Sequence, residues 1–326
     1  MSGNTSKGRI FVTGECGQVG EALRRTLVPF GEIVAPTLEE LDLTDAESIR
    51  RFMREVEPRW VVNAAAHTAV DKAESEPELA FAINATAPKV LAEEAKKIGA
   101  AVVHYSTDYI FDGSKTTPWV ESDPAGPLNV YGKSKLAGEA AVSGSGAAHL
   151  IFRTSWVYGA TGNNFVRSML RLAREREHLR VVADQHGAPT WSFELAQMTA
   201  NVIGQVERLS EQGKCSLSEA ALPLSGVYHA TGSGETTWYG FAVQAIAALQ
   251  KLEPETKLAS VEPIPTSEYP TPAKRPMNSL LDCSKLERTF GWRMPDWRDS
   301  VATVVSMLRE TSYFDHWATS FPTARS

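Results

Sequence analysis

The residue pair best suited to chemistry is Tyr131 and Lys135, which lie four positions apart in the segment YGKSK. On a helix this spacing places two side chains on the same face. A tyrosine hydroxyl ordinarily has a pKa of about 10, and a neighbouring ammonium stabilises the phenolate and lowers that pKa. The pair therefore predicts a proton donor to a carbonyl oxygen that is being reduced. A chance spacing on a surface helix is the alternative.

Two hydroxyls at the end of a predicted strand favour the chemical interpretation. Ser106 and Thr107 close the apolar run that begins at Ala101. We expect Thr107 to donate to the same carbonyl oxygen, with Ser106 as the alternative, so that hydrogen bonds stabilise the developing alkoxide. Together with Tyr131 and Lys135, this hydroxyl completes a predicted catalytic group.

Glycines at 14, 17 and 20 stand between a predicted strand and a predicted helix. One glycine permits the tight turn, one lets the backbone approach a pyrophosphate, and one packs the helix against the strand. The amino end of the helix then offers unpaired N–H groups and a partial positive charge to phosphate. A glycine-rich turn without a ligand is the alternative. The predicted cofactor residues here are Gly14, Gly17, Gln18, Val19 and Gly20.

The type of dinucleotide stays open. The predicted second strand ends in Ala35, Pro36 and Thr37, which supply neither an acid for an adenosine ribose nor a base for a phosphate. Asp42 and Leu43 follow in a loop that is predicted to reach the adenine. The sequence therefore predicts NADPH or NADH without choosing between them.

Apolar runs alternate with helical patterns through the first half of the chain. This alternation predicts parallel strands joined by right-handed crossovers, with helices on both faces of the sheet. The fold class is therefore α/β, a Rossmann-type doubly wound parallel sheet with ligands at the carboxyl ends of its strands. The predicted strands are 9–13, 32–35, 60–66, 101–107 and 149–155, and the predicted helices are 17–27, a helix capped at 44–45 that ends near 57, 78–98 and 130–142.

Repeated prolines between Pro189 and Pro276 break the second half into shorter pieces. We expect a smaller C-terminal substrate-binding lobe there, which closes over the cleft, and a strand at 226–230 that returns to the main sheet. The predicted division gives the dinucleotide-binding domain 7–165 and about 225–250, the lobe 166–224 and 251–311, and the tails 1–6 and 312–326.

Composition limits the partners. Lys and Arg number 33 and Asp and Glu 39, so the formal charge of −6 argues against nucleic acid as a partner. No apolar stretch reaches the roughly 20 residues that a membrane crossing needs, and the first residues do not resemble a signal peptide. Three scattered cysteines predict a reducing compartment, which we take to be cytoplasmic. No metal-binding motif is present, so we expect no catalytic metal.

Several segments resemble the extended short-chain dehydrogenases/reductases and, within them, the dTDP-4-dehydrorhamnose reductase family. The resemblance covers nearly the whole chain, and its last segments point to the rhamnose branch. The matching segments are 17–20 (GQVG), 63–74 (NAAAHTAVDKAE), 106–113 (STDYIFDG), 131–139 (YGKSKLAGE), 153–159 (RTSWVYG), 162–165 (GNNF), 184–190 (DQHGAPT) and 270–282 (PTPAKRPMNSLLD).

The resemblance implies reduction of the C4 keto group of dTDP-4-dehydro-L-rhamnose, a nucleotide sugar, with Thr107, Tyr131 and Lys135 as catalytic residues. Tyr131 and Lys135 would also contact the cofactor. Ala64, Ala65 and Ala66 would line the cofactor groove. The implied substrate contacts are Thr68, Val70, Ser106, Thr107, Tyr109, Trp156, Asn163, Asn164 and Arg275. A homodimer stays open, although Ala22 offers no carboxylate where a magnesium-linked pair would need one.

Some of these assignments have structural alternatives. Trp156 could be a core residue, the asparagines at 163 and 164 a helix cap, and Arg275 part of an exposed basic pair with Lys274. We favour the diphosphate role for Arg275, because the flanking prolines would rigidify its segment and guanidinium binds phosphate in a bidentate way.

Two other functions compete with this one. The first is a related epimerase, dehydratase or ketoreductase, although Tyr109 stands where a dehydratase would place a second carboxylate beside Asp108. The second is a regulatory subunit on the same fold, like the β-subunit of animal methionine adenosyltransferase. The complete set of Thr107, Tyr131 and Lys135 favours an enzyme.

Overall fold

The computed structural model describes residues 8–310, so the predicted tails lie outside the described residues. In the first half, strands alternate with helices as predicted. Its elements are β1 Arg9–Thr13, α1 Gln18–Thr26, β2 Glu32–Val34, α2 Ala46–Val56, β3 Trp60–Asn63, α3 Val70–Ala73, α4 Pro77–Phe81, α5 Ala87–Ile98, β4 Ala101–Thr107, α6 Val130–Gly144 and β5 His149–Thr154.

The second half contains shorter strands and longer helices. Its elements are β6 Val157–Tyr158, α7 Phe165–Glu175, β7 His178–Val182, β8 His186–Gly187, β9 Thr190–Trp191, α8 Ser192–Gly213, α9 Leu217–Ala221, β10 Gly226–His229, β11 Thr236–Thr237, α10 Trp238–Leu252, β12 Ser260–Ile264, α11 Ser284–Phe290 and α12 Trp297–Glu310. In the described range, no helix is both long and apolar enough to cross a bilayer.

A six-stranded parallel sheet forms the centre, in the order β10-β5-β4-β3-β1-β2. The predicted α/β class is confirmed, and so is the return of β10 to the sheet beside β5. The order reverses between β1 and β3, because β2 lies on one side of β1 and β3 lies on the other. Ligands bind at such reversals, at the carboxyl ends of the strands.

Helices cover both faces of the sheet, because successive residues of a strand point to opposite sides. Ile10 and Val12 of β1 pack in one cluster with α1 and α8, whereas Phe11 packs in another with α2 and α5. The buried strand residues are therefore apolar on both faces, which explains the continuous apolar runs in the sequence.

Three sequence predictions need correction. The single helix predicted at 78–98 is interrupted by a π-helical segment, Ala82–Thr86. The third strand ends at Asn63, so the three alanines after it lie in a loop. Helix α8 is 22 residues long, and it packs on the main sheet although the predicted division assigned it to the second lobe. Helix α10 instead packs with α7 and α12 in a separate cluster.

Candidate active site

The turn between β1 and α1 is shaped to let a ligand pass close to the backbone. Gly14 has a φ of +73°, and a Cβ there would stand 2.8 Å from the backbone of Ala65. The N–H of Gly17 donates to the Gly14 carbonyl at 2.9 Å and closes the turn. Gly20 is buried in α1, where a Cβ would collide with that same carbonyl. Glycine is therefore required at both ends of the turn.

A buried hydrogen-bond chain holds the neighbouring strand ends together. The hydroxyl of Thr13 donates to Asn63 at 2.6 Å and accepts the N–H of Ala65 at 3.1 Å, while the Asn63 amide lies 3.0 Å from Nδ1 of His104. Burial, and then the charge of Lys135, hold the pKa of His104 well below its usual range. A neutral imidazole can thus accept from Asn63, and the loop after β3 is fixed in place.

A cleft of about 930 Å³ runs along the carboxyl ends of these strands. It brings together most of the residues predicted from the sequence. Those lining it are Gly14, Gly17, Gln18, Val19, Asp42, Leu43, Ala64, Ala65, Ala66, Thr68, Val70, Ser106, Thr107, Tyr109, Tyr131, Lys135, Trp156 and Asn163. Gly20, Asn164 and Arg275 do not line it.

Helix α6 carries the predicted catalytic pair. Asn129 caps its amino end by accepting the N–H of Gly132 at 2.8 Å. Gly132 packs so closely that a Cβ would collide with the carbonyl of Tyr109, and this contact brings α6 up to the end of β4. Tyr131 and Lys135 both face the cleft, while Lys133 is exposed to solvent.

Tyr131 lies against the hydroxyl at the end of β4. Both side chains line the cleft, and the hydroxyl of Thr107 donates to Asp108 at 2.9 Å. Burial raises the pKa of Tyr131 to about 12, although the hydroxyl of Thr107 opposes this shift. The net shift is therefore upward, opposite to the lowering that the Tyr-x-x-x-Lys spacing predicts, because desolvation of the phenol outweighs the other effects. Tyr131 stays protonated, which is the form that gives a proton.

Lys135 is 2% exposed, and its ammonium donates to the carbonyl of Tyr105 at 2.5 Å. Burial lowers its pKa to about 8, and the charge of Glu139 one turn later opposes this shift. Glu139 in turn forms a buried ion pair with Arg153 at 2.7 Å. Lys135 is thus a cation held at the deep end of the cleft by one carbonyl.

Asp108 and Asn84 are polar residues that the sequence analysis did not include in the site. Burial raises the pKa of Asp108 to about 6, and the hydroxyls of Ser279 and Thr107 oppose this shift. The signal for Asp108 was a carboxylate directly after the strand-end hydroxyl.

Asn84 lies in the π-helical segment, a feature common at functional sites. Its carbonyl oxygen accepts the backbone N–H of His67 at 2.8 Å, and its amide donates to Ser134 of α6 at 2.9 Å. It therefore ties the loop after β3 to the helix of Tyr131. The signal for it in the sequence was a single Asn within the apolar pattern of the predicted helix.

Aromatic rings form the outer part of the cleft. Trp156 stacks on Trp238 with ring centroids 3.7 Å apart and an interplanar angle of 12°. Trp156 has a φ of +47°, and its ring packs over Gly187, where a Cβ would stand 2.5 Å away. Tyr109 meets Tyr131 edge to face at 5.9 Å. Trp238 was not predicted as a site residue, because no motif near it in the sequence indicates that it stacks on Trp156.

Two predicted substrate residues have structural roles in this fold. The side chain of Asn164 accepts the N–H of Arg167 at 3.1 Å and caps α7, which is the alternative considered above. Arg275 forms a bidentate ion pair with Asp71, at 2.9 and 2.8 Å, and also donates to the carbonyl of Ala273. The pair joins segment 270–282 to α3, and it lowers the pKa of Asp71.

The cleft fits a dinucleotide, because the glycine turn leaves no room for side chains and the alanines beside it are small. Ser106 is 4% exposed and lines the cleft, yet its hydroxyl has no hydrogen-bond partner within residues 8–310. A buried hydroxyl without a partner is costly unless a ligand satisfies it. Fold and site together define a nicotinamide-dependent reductase of the Rossmann type.

Comparison with known proteins identifies the family. Residues 8–310 match the model described as RmlD substrate binding domain. The chain is 46% identical over 302 residues to the dTDP-4-dehydrorhamnose reductase of Burkholderia thailandensis, covering 92% of this chain and 99% of that protein. The chain belongs to the dTDP-4-dehydrorhamnose reductase family.

Two solved structures agree with this assignment. The dTDP-4-dehydrorhamnose reductase of Clostridium acetobutylicum superposes with a TM-score of 0.82 at 37% identity. That of Bacillus anthracis, in complex with NADP, superposes with a TM-score of 0.81 at 32% identity. Each comparison covers 92% of this chain and 99% of the other.

Proposed function

We propose that the chain reduces the C4 keto group of dTDP-4-dehydro-L-rhamnose to dTDP-L-rhamnose, using NADH or NADPH. The observation that carries this proposal is that Tyr131, Lys135 and Thr107 line one cleft, which the glycine turn also lines. The bound reduced nicotinamide supplies hydride to the sugar carbon. The residues proposed to hold the dinucleotide are Gly14, Gly17, Gln18, Val19, Asp42, Leu43, Ala64, Ala65, Ala66, Tyr131 and Lys135, with Gly20 packing α1 beneath the turn.

The catalytic residues supply the proton that the carbonyl oxygen receives. Tyr131 gives its phenolic proton to the carbonyl oxygen as negative charge develops there, and the hydroxyl of Thr107 turns its single proton from Asp108 to the same oxygen. The Lys135 ammonium stabilises the phenolate that remains, and Ser106 is placed to donate to a ligand group. Asp108 holds Thr107 in position through the 2.9 Å contact.

The sugar nucleotide is proposed to lie on the side of the cleft lined by Thr68, Val70, Tyr109, Trp156 and Asn163. Trp238 joins this set, because it supports Trp156 by stacking. We propose that Arg275 acts through Asp71, on α3, and so positions the loop that carries Thr68 and Val70. Asn164 acts in the same indirect way, through the start of α7.

We also propose how the chain divides into two domains, in which compartment it acts and in which oligomeric state. The dinucleotide-binding domain takes in α8, because that helix packs on the main sheet, and the substrate lobe is built around α7, α10 and α12.

A cytoplasmic location agrees with the cysteines at 16, 215 and 283, which are all free thiols. A homodimer rests on the likeness to the family, and sedimentation velocity tests it.

The test is an assay with dTDP-4-dehydro-L-rhamnose made in place, in which the absorbance of NADH and of NADPH is followed separately. Consumption of either cofactor with formation of dTDP-L-rhamnose is the expected result. If the cofactor binds and nothing is consumed, the substrate assignment fails. If the sugar changes configuration without net consumption, the chain is an epimerase.

A further inference from the structure

The charges that line the cleft are unevenly distributed. Lys135 lies at the deep end beside Tyr131, and within residues 8–310 no other Lys or Arg lines the cleft. Glu15 and Asp42 line the end beside β1 and β2, which lie on the other side of β3 from the strand that Lys135 contacts, β4. In a Rossmann fold this is the end that receives the adenosine ribose. Within the described residues, this end of the cleft is thus lined by two carboxylates and by no cation.

Glu15 is the carboxylate built into the glycine turn itself. Its side chain is 15% exposed, and one oxygen pairs with Arg24 at 2.5 Å while the other accepts the thiol of Cys16 at 3.1 Å. Arg24 is the cation beside this turn, and its charge is already matched by Glu15.

The pKa of the neighbouring Cys16 thiol responds to Glu15. Its pKa is raised, first by the hydrogen bond to Glu15, then by burial, and further by the negative charges of Glu15 and Glu39. The charge of Arg24 opposes this shift without reversing it. The negative charges of Glu15 and Glu39, which oppose ionisation of this thiol, would also oppose the binding of another anion beside it.

NADPH differs from NADH by a phosphate on the 2′ oxygen of the adenosine ribose. NADP-binding sites place an arginine near that phosphate, whereas NAD-binding sites place an acid near the free 2′ hydroxyl. The usual position for either residue is here filled by Ala35, Pro36 and Thr37. We propose that Glu15 takes over this role and selects NADH over NADPH, by repelling the 2′ phosphate and by keeping Arg24 occupied. The inference rests on the proposed function, since it presumes the dinucleotide in this cleft.

Dissociation constants for the two cofactors test the proposal independently of activity. Trp156 and Trp238 line the cleft, so quenching of protein fluorescence reports binding. We expect the wild-type protein to bind NADH about tenfold more tightly than NADPH, which corresponds to about 1.4 kcal/mol. In Glu15→Gln the ratio should fall at least about fivefold, mainly through tighter binding of NADPH, because a repulsive charge is lost. Glu15→Asp should keep the preference for NADH.

Glu32→Gln is the matched control. Glu32 carries the same charge and also pairs with an arginine, Arg9, but its side chain is 68% exposed and it begins β2, away from the carboxyl ends. This change should leave the ratio within about twofold of wild type. Added salt should narrow the wild-type ratio, because it screens the repulsion of the 2′ phosphate.

Two results would overturn the inference: equal or tighter binding of NADPH by the wild type, or an unchanged ratio in Glu15→Gln. Tight NADH binding without reduction of the sugar would contradict the proposed function, but it would not contradict the inference about cofactor preference. Binding of neither cofactor would overturn both.

Discussion

The two sides of the cleft are built in different ways. The cofactor side consists of backbone and small side chains, such as Gly14 and Ala65, held by the ends of adjacent parallel strands. The substrate side consists of large rings, such as Trp156 and Trp238, held by stacking between distant segments. Shape on the first side depends on backbone conformation, and on the second side it depends on side-chain packing. Substitutions should therefore separate cofactor binding from substrate binding, with Tyr131 and Thr107 where the two sides meet.

Tyr131→Phe should give the largest effect. We expect kcat to fall by about 10²–10⁴, because the proton donor is lost, while the dissociation constant of the cofactor stays within about twofold. Stopped-flow kinetics and fluorescence titration measure the two quantities. Tyr109→Phe is the control, since the neighbouring ring loses the same hydroxyl, and it should change KM more than kcat. A Tyr131→Phe enzyme with normal kcat would remove Tyr131 from the reaction.

Thr107→Val should lower kcat by about 10², as expected for one lost donor to a developing alkoxide. Valine keeps the branched shape, so the loss reports the hydroxyl rather than packing. Thr107→Ser should restore most of the rate. If valine and serine are equally active, the hydroxyl of Thr107 has no part in catalysis.

Trp238→Ala tests the substrate side by itself. Loss of the stack on Trp156 should raise KM for the sugar nucleotide roughly three- to tenfold, because such contacts contribute about 0.5–1.5 kcal/mol. The dissociation constant of NADH should not change. Trp292→Ala serves as the control, since that half-buried indole packs on the main-sheet cluster. A weakened NADH site in Trp238→Ala would show that the two sides are not separable.

The dependence of kcat/KM on pH tests the ionised groups of Asp108 and Lys135, which lie where the cofactor side and the substrate side of the cleft meet. Ionised Asp108 accepts from Thr107 and has a pKa near 6, so activity should fall below that pH. Lys135 has a pKa near 8 and loses its ammonium above it, so activity should fall again at higher pH. The profile should be bell-shaped, because kcat/KM reports groups of the free enzyme. Asp108→Asn should flatten the acidic limb, and a limb that persists in this variant would assign it to another group.

The adjacent asparagines offer the finest distinction. Asn164→Ala removes the cap of α7 and should cost about 1 kcal/mol of unfolding free energy, with little change in KM. Asn163→Ala should do the reverse, because Asn163 is exposed and lines the cleft. Thermal unfolding and steady-state kinetics of both variants would decide this. A rise in KM for Asn164→Ala alone would restore the substrate role that its sequence position suggested.

The same contrast explains how much could be predicted from sequence. The glycine turn and the Tyr131–Lys135 pair are local patterns, since a strand, a turn and a helix follow one another within a few residues. The parallel sheet was predicted from continuous apolar runs. Such runs arise because a hydrophobic core covers each face of the sheet. These features depend on neighbours in the chain, and a single sequence contains them.

The remaining features depend on contacts between distant segments. The partners Arg275 and Asp71 are 204 positions apart, and no spacing rule links them. Asn164 was assigned to the substrate because a cap and a ligand contact use the same side chain. The prolines around α8 suggested shorter pieces in a separate lobe, whereas its packing on the main sheet depends on contacts with strands far away in the sequence. The pKa of Tyr131 depends on burial, which the Tyr-x-x-x-Lys pattern does not contain.

The most direct test of the central claim is the fate of a labelled hydride. NADH that carries deuterium at the transferable position would be incubated with the wild-type protein and dTDP-4-dehydro-L-rhamnose, and the sugar product examined by mass spectrometry and NMR. The account predicts one deuterium on C4 of the product sugar for each NADH oxidised. Product without deuterium at C4, or NADH oxidised without labelled sugar, would contradict it.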